Sequence, residues 1–228
     1  MFQKLTIIIP CYNEEKTIEK VVSEIENVNL PLNLNKEVII VDDGSGPRTR
    51  EILKNLEHKH KIIYLPRNFG KGYAVRQGIK EATGDLILIQ DADLEYDVND
   101  YPKLLEPMIN NGSEIVYGSR FLQFNERSKY YWGVKGLTIL LNLLFRAKLT
   151  DSATCYKLFR SEHLKNLDLQ CQRFEFCPEV TTKLLKKGLK IVEVPINYYP
   201  RSVVQGKKIK IKDGLEAMWT IIKYRFIN

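Results

Sequence analysis

Short apolar, β-branched runs alternate with amphipathic stretches through the first half of the chain, and this alternation restricts the fold more than any other feature. The runs are residues 5–9, 37–41, 61–65, 85–90 and 114–117. Between them, apolar side chains recur at helical spacing over residues 16–28, 71–82 and 101–109, and Pro47 suits the first turn of another helix. Strands that alternate with helices of this length predict an α/β fold with a mostly parallel central sheet covered by helices.

The second half is less regular. Residues 154–159 and 190–198 are typical of strands, and residues 178–187 are typical of a helix that ends at Gly188. A last helix is predicted over residues 213–226. The chain has 228 residues, 44% of them hydrophobic, which is enough for one domain with a sizeable core.

Charge and cysteine content narrow the partners and the compartment. The net charge of +7 favours an anionic partner, which could be a phosphate compound, a nucleic acid or an acidic membrane surface. Much of the excess lies in the segment 201–212, which has five basic residues and no acidic one. The four cysteines lack Cys-x-x-Cys spacing, which argues against a zinc site, and no leader-like segment precedes the first strand, so we expect a cytoplasmic protein.

Polar or glycine-containing segments follow four of the predicted strands. They are residues 10–15, 42–45, 68–72 and 91–95. Ligands of open parallel sheets bind beyond the carboxyl ends of the strands, so these four segments map a candidate site.

Asp91 and Asp93 are the chemically most specific feature of that edge. Alternate residues of an extended chain point to the same side, so both carboxylates can face one cation such as Mg²⁺ or Mn²⁺. Such a cation neutralises a diphosphate and its developing charge. The plainer alternative is a polar strand end or a helix cap. No phosphate-binding P-loop and no complete dinucleotide fingerprint is present, so a bound diphosphate would depend on a metal and on side chains.

Several motifs carry a resemblance over nearly the whole chain. They are Ile8-Ile9-Pro10-Cys11-Tyr12-Asn13-Glu14, Val41-Asp42-Asp43-Gly44-Ser45, Asn68-Phe69-Gly70-Lys71-Gly72, Asp91-Ala92-Asp93, Gly118-Ser119-Arg120, Asp151, Glu193-Val194-Pro195, Arg201 and Gly206-Lys207-Lys208. In this order they resemble inverting glycosyltransferases of the GT-A fold, in the branch of dolichol-phosphate mannose synthase and polyprenyl-phosphate sugar transferases. The resemblance implies a Rossmann-like sheet with an apolar, amphipathic helical extension. It implies a nucleotide-sugar-binding half at 1–118, an acceptor half at 119–200, and a basic loop with a C-terminal amphipathic helix at 201–228.

The resemblance also assigns roles to residues. The nucleotide-sugar site would be formed by Pro10, Tyr12, Glu14, Asp42, Lys71, Asp91, Ala92 and Asp93. Asp91 and Asp93 would be catalytic and would bind the metal, with Glu95 as a third ligand, although many relatives have Gln at that position. Arg120, Arg201 and Lys208 would receive phosphate oxygens of the donor or acceptor.

The implied reaction is transfer of mannose or glucose, with inversion, from GDP-mannose or UDP-glucose to a polyprenyl or dolichyl phosphate. A phosphate acceptor is already anionic at pH 7, so it needs cations and not a general base. One alternative is a glycosyltransferase of the same fold that uses a sugar hydroxyl, for which Asp151 or Glu179 could be the base. Another is a non-catalytic module that binds nucleotides or nucleic acid; the acidic pair disfavours nucleic acid.

The apolar stretch 132–145 is too short to span a bilayer. It is either a core helix or, together with the last helix, an interfacial element that keeps the protein on the cytoplasmic face of a membrane. Exposed apolar helices could also contact a second copy of the chain.

Overall fold

The computed structural model describes residues 2–123, 131–201 and 211–227, and their central feature is one seven-stranded sheet. The strands are β1 (Lys4–Cys11), β2 (Asn35–Asp42), β3 (Lys61–Tyr64), β4 (Leu86–Ile89), β5 (Ile115–Ser119), β6 (Lys157–Arg160) and β7 (Ile191–Pro195). Their order across the sheet is β3-β2-β1-β4-β6-β5-β7. All neighbouring pairs are parallel except those of β6, which runs antiparallel to β4 and β5. The predicted α/β fold with a mostly parallel sheet is therefore confirmed.

Helices connect the strands in the described part of the chain. They are α1 (Ile18–Asn27), α2 (Pro47–Leu56), α3 (Lys71–Glu81), α4 (Tyr101–Asn111), α5 (Tyr131–Phe145), α6 (Ser161–Lys165), α7 (Phe176–Lys186) and α8 (Ile211–Phe226). The helix α3 lies against the middle of the sheet, because a side chain at Gly78 would come within 2.5 Å of Ile8. The sequence pattern missed α6, which is a single short turn.

Strand β1 extends beyond the predicted run 5–9, through Pro10, to Cys11. The carbonyl of Ile8 accepts from Gln90 on the β4 side, and Pro10, two residues on, turns its nitrogen to that same side. Since the last paired residue of β4 is Ile89, no ladder partner is left there for Pro10 to bond. A proline is tolerated at such a position because it lacks only a hydrogen bond that would not form.

Two hydrophobic clusters differ in size and place. The main core covers both faces of the sheet, with Ile7, Ile8 and Ile9 all fully buried. A small second cluster, built on Leu141, Leu149 and Ile221, joins α5 to α8. No helix among the described residues is both long enough and apolar enough to cross a membrane.

Candidate active site

A cavity of about 690 Å³ opens at the carboxyl ends of β1 and β4. The sheet order reverses direction between these two strands, since β2 and β3 follow on one side and β4 on the other. This is the position at which open α/β sheets bind ligands. Most of the residues predicted for the site line the cavity: Pro10, Tyr12, Glu14, Lys71, Asp91, Ala92, Asp93, Glu95, Arg120 and Arg201. Lys208 lies outside the described residues.

Asp91 forms an ion pair with Lys71, the first residue of α3. Burial opposes the charge on Lys71, but the Asp91 carboxylate together with Cys155 and Cys177 outweighs it, so the pKa of Lys71 lies well above its usual range. The Lys71 ammonium is also 3.2 Å from the Sγ atom of Cys155. A side chain at Gly72 would lie 2.8 Å from the carbonyl oxygen of Arg173, so only glycine allows this helix start to approach the far wall of the cavity. The Gly-Lys-Gly motif thus places the Lys71 ammonium beside Asp91.

Asp93 belongs to a second group of charges, centred on Arg201. The Arg201 guanidinium forms ion pairs with Asp93 and with Glu14, the latter at 3.1 Å. Its Nε atom is 3.8 Å from Glu95. Burial, and then the charge of Asp91, raise the pKa of Asp93 to about 7, although Arg201 acts in the opposite direction. Burial and the neighbouring carboxylates together therefore outweigh the effect of Arg201 on the pKa of Asp93.

Glu95 fixes the start of the basic segment against this cluster. Its carboxylate accepts hydrogen bonds from the Tyr198 hydroxyl and from the backbone N–H of Arg201, both at 2.7 Å. Its backbone carbonyl accepts from the N–H of Tyr199 at 2.8 Å. The residue predicted as a third metal ligand thus also anchors the chain that carries Arg201.

The donor atoms around the cavity fit a hard divalent cation in type, because they are carboxylate oxygens. Asp93 and Glu95 are the residues that would hold it, with Asp91 beside them. Among the described residues, however, no three acidic, histidine or cysteine side chains are already grouped closely enough to coordinate an ion. The guanidinium of Arg201 lies between the carboxylates instead.

Asp42 does not line the cavity, and its neighbour Asp43 does. Asp42 is fully buried and accepts hydrogen bonds from the N–H of Ser45 at 2.9 Å and from Arg50 at 2.8 Å. Asp43 accepts from the N–H groups of Phe69 and Gly70 at 2.7 and 2.8 Å. Consecutive residues at a strand end point to opposite sides, so a one-residue difference exchanges the cavity wall for the interior. The predicted place of Asp42 on the wall of the site is therefore wrong, and Asp43 lies there instead.

Asp151 is also outside the cavity, which contradicts its suggested role as a base. It is fully buried, and its two oxygens accept from Nε and Nη2 of Arg120 at 2.6 and 2.8 Å. The other suggested base, Glu179, is 1% exposed and accepts from two backbone N–H groups, Lys183 and Tyr224. Both carboxylates are buried and make structural hydrogen bonds. A base must be within reach of the substrate proton, so neither is placed to act as one.

Arg120 combines this buried pair with an exposed side on the cavity. Asp151 holds it from behind, and its guanidinium lies 5.0 Å from the ring centre of Tyr198. Glu193 on β7 accepts from the N–H groups of Thr150 and Asp151 at 2.6 and 2.9 Å, which fixes the turn that carries Asp151. The Glu-Val-Pro motif therefore supports Arg120 through Asp151.

Gln90 is a supporting residue that the sequence interpretation did not include in the site. Its side-chain carbonyl accepts from the hydroxyls of Tyr101 and Tyr156, both at 2.8 Å, and its amide donates to the backbone carbonyl of Asp91 at 2.9 Å. All three side chains are fully buried. The network holds the backbone that carries Asp91 and Asp93. A polar residue directly after the apolar run 86–89 was the available signal.

We expect Gln90→Leu to lower the free energy of unfolding by about 1–3 kcal/mol, because it leaves two buried hydroxyls without their acceptor. Chemical denaturation would measure this loss. Equal stability of Gln90→Leu and the native protein would contradict the importance of the network.

The other half of the cavity wall is apolar. It is formed by side chains of α5 and α8 and of the segment before and within α7, among them Val134, Leu137, Phe174, Phe176, Ala217 and Ile221. One continuous cavity therefore joins a charged floor to an apolar wall. The sequence pattern could not show this, because α5 and α8 are far apart along the chain.

Known proteins match the part of the chain that forms this site. The model of the family described as Glycosyl transferase family 2 matches residues 6–168. The chain is 33% identical over 218 residues to the dolichol-phosphate mannosyltransferase of Pyrococcus furiosus, with 90% of this chain covered; it spans 60% of that relative's length. It is also 33% identical to the UDP-N-acetylglucosamine–dolichyl-phosphate N-acetylglucosaminyltransferase of Methanococcus voltae, with 90% of each chain covered.

A solved structure shares the fold. Glucosyl-3-phosphoglycerate synthase of Mycobacterium tuberculosis, crystallised with Mn²⁺, uridine diphosphate and glucosyl-3-phosphoglycerate, superposes with a TM-score of 0.74. The superposition covers 99% of this chain and 81% of that one at 17% identity. At this identity the likeness establishes the architecture alone.

Proposed function

The chain belongs to glycosyl transferase family 2, and from this membership we propose that it transfers a hexose, with inversion, from a nucleotide-sugar to a polyprenyl or dolichyl phosphate. The relatives named above support this acceptor class. GDP-mannose and UDP-glucose are the two candidate donors, and they differ in both the sugar and the nucleotide base. A divalent cation, Mg²⁺ or Mn²⁺, belongs to the proposal because carboxylates dominate the cavity floor.

The observation that carries the proposal is the two-part lining of the cavity. Lys71, Arg120 and Arg201 border the same space as the apolar side chains of α5 and α8. A glycan acceptor would bring no phosphate to these cations and no hydrocarbon chain to this wall. An acceptor with an anionic head and a hydrocarbon chain would use both parts, the cations for its phosphate and the wall for its first carbons.

In the proposed reaction an oxygen of the acceptor phosphate attacks the anomeric carbon of the sugar, and the bond from that carbon to the nucleoside diphosphate breaks. A divalent cation would neutralise the departing diphosphate. Asp91 and Asp93 would position the donor, and Arg120 would hold the attacking phosphate. The burial of Asp151 and Glu179 supports a phosphate nucleophile, because a hydroxyl nucleophile needs a base.

The exposed faces of α5 and α8 support docking on an anionic membrane surface beside the cavity. Large apolar side chains there are exposed by 39–74%: Trp132, Ile139, Leu143, Leu215, Met218, Trp219 and Phe226. Basic residues flank them, including Arg146, Lys148, Lys212 and Arg225. Aromatic rings with basic neighbours suit the headgroup region of a bilayer. A membrane would also supply a lipid-linked acceptor, and a cytoplasmic face would supply the donor.

Because the two tryptophans of the chain both lie on these faces, their fluorescence should shift to shorter wavelength when anionic vesicles are added. We expect Trp219→Ser to weaken vesicle binding by about tenfold or more, since a large apolar side chain no longer enters the lipid. Co-sedimentation would measure binding. Leu32→Ser is the matched control, because Leu32 is 53% exposed in the turn before β2. Equal loss in both variants would refute a specific docking face.

A donor panel tests the central proposal. Each nucleotide-sugar is incubated with Mg²⁺ or Mn²⁺, with and without a polyprenyl phosphate, and the product mass is measured. We expect a polyprenyl-phosphate-linked sugar to form with one donor, and no such product to form after the acceptor has been treated with phosphatase. Product formation only with a glycan hydroxyl would favour the alternative acceptor, and no turnover with any donor would overturn the proposal.

A further inference from the structure

Four carboxylates of the cavity, those of Glu14, Asp91, Asp93 and Glu95, form a cluster that is paired in the described structure with two internal cations. Lys71 pairs with Asp91 alone among the acidic residues of the cluster. Arg201 serves the three others, Glu14, Asp93 and Glu95. Among the described residues, its guanidinium is held by side chains that line the cavity, whereas Arg120 is held from behind by the buried Asp151. Arg201 is therefore the cation of this site whose departure a second cation, bound to the same cavity-facing carboxylates, would compensate.

Arg201 also fits its position incompletely. Its Nε atom is buried and has no hydrogen-bond partner among the described residues, the nearest carboxylate oxygen being that of Glu95 at 3.8 Å. Burial alone would lower the pKa of this guanidinium, but the carboxylates of Asp93 and Glu14 together raise it, so the side chain stays charged. A charged donor left unbonded in a buried place weakens the resident arrangement. The carboxylates therefore hold Arg201 mainly by charge attraction, because its hydrogen bonding at this position is incomplete.

We propose that Arg201 is an exchangeable counter-ion, which occupies the carboxylate cluster until a divalent cation replaces it and which then becomes available to an anionic acceptor. The inference rests on the proposed function and concerns its order of events. Two cations cannot share the oxygens of Asp93 and Glu95 without strong repulsion. Arg201 therefore leaves the cluster when the donor complex enters. The acceptor phosphate, which needs the released guanidinium, binds second.

The exchange predicts that removing Arg201 strengthens metal binding. We expect Arg201→Met to bind Mn²⁺, in the absence of any nucleotide, at least about tenfold more tightly than the native protein, because a competing charge within a few ångströms is lost. Arg201→Lys, which keeps the charge, should remain near the native affinity. Titration followed by electron paramagnetic resonance of free Mn²⁺ measures both. Unchanged or weaker Mn²⁺ binding by Arg201→Met would overturn the proposal.

Arg173→Met is the matched control. Arg173 lines the same cavity and is exposed, but its side chain makes no ion pair with Glu14, Asp91, Asp93 or Glu95 in the described structure. Its removal should change Mn²⁺ affinity by less than about twofold, since an exposed charge is screened by solvent and salt. A similar tightening in both variants would mean that net charge, and not exchange at the cluster, governs metal binding.

The order of binding provides a second measurement on the native protein. Inorganic phosphate is titrated with and without saturating Mn²⁺ and uridine diphosphate. We expect tighter phosphate binding in the loaded state, and loss of this gain in Arg201→Met. Equal phosphate affinity in both states would contradict the release of Arg201.

These tests use no sugar transfer, so the two proposals can fail separately. If Arg201→Met binds Mn²⁺ more tightly but the native protein turns over no donor, the exchange stands and the proposed function is refuted. If the native protein turns over a polyprenyl phosphate but Arg201→Met binds Mn²⁺ no more tightly than the native protein, the proposed function stands and the exchange is refuted.

Discussion

Asp93→Asn is expected to lower kcat for hexosyl transfer by about 10²–10³-fold while the protein remains folded. The variant keeps the shape of the side chain but removes the negative charge that would hold a divalent cation beside the leaving diphosphate. Folding should be preserved because burial and the charge of Asp91 already oppose the ionised form of Asp93, whose pKa is raised to about 7. Steady-state kinetics with the preferred donor, together with circular dichroism, measure both parts.

The same substitution at the other end of the strand is the control. Asp85 lies just before β4, is exposed, and accepts hydrogen bonds from the N–H groups of Gln3 and Lys4 at 2.6 and 3.0 Å. Asp85→Asn keeps an acceptor there and is far along the strand from the cavity. We expect near-native kcat. Retention of more than a tenth of native activity by Asp93→Asn would remove Asp93 from the catalytic centre.

Asp151→Asn is expected to lower the free energy of unfolding by about 3–5 kcal/mol, because it leaves the guanidinium of Arg120 buried without its counter-charge. The side chain of Arg120 is 14% exposed and that of Asp151 is fully buried, so solvent cannot replace the lost partner. Urea denaturation measures the loss. The double variant Arg120→Met, Asp151→Leu should recover most of the stability, since it removes both charges together.

Activity separates this structural role from a catalytic one. The double variant should fold but fail to use a phosphate acceptor, because Arg120 is gone from the cavity. If Asp151→Asn instead lost less than about 1 kcal/mol of stability but most of its kcat, Asp151 would have to be reconsidered as a base.

Periodicity located the acidic pair correctly because strand ends are encoded locally. The run 86–89 is apolar at every position, and Asp91 and Asp93 follow it at the edge where β1 and β4 diverge. The distinction between Asp42 and Asp43 was not available in the same way. Both follow the same strand, and which one faces the cavity depends on where β2 ends its pairing with β1. Motif matching selected Asp42, which does not line the cavity.

The ion pairs of the site could not be predicted from the sequence either. Arg201 is 108 residues from Asp93 along the chain, and Arg120 is 31 residues from Asp151. A basic segment with no acidic residue predicted contact with phosphates, but it could not show that Arg201 already binds the acidic cluster. The Arg201–Asp93 pair forms because the segments after β7 and β4 meet at one side of the sheet, and the Arg120–Asp151 pair forms because the segment after β5 meets the segment before β6.

The sequence by itself determined the α/β class, the sheet edge that carries the site, the family motifs and most of the cavity residues. These follow from local properties: side-chain periodicity, strand length and the polar residues at strand ends. The tertiary structure alone decided which carboxylates face the cavity, which cation neutralises each of them, and that α5 and α8 complete the wall. Those outcomes depend on contacts between distant segments, whose energies arise only after the sheet has assembled and water has been excluded from the charges.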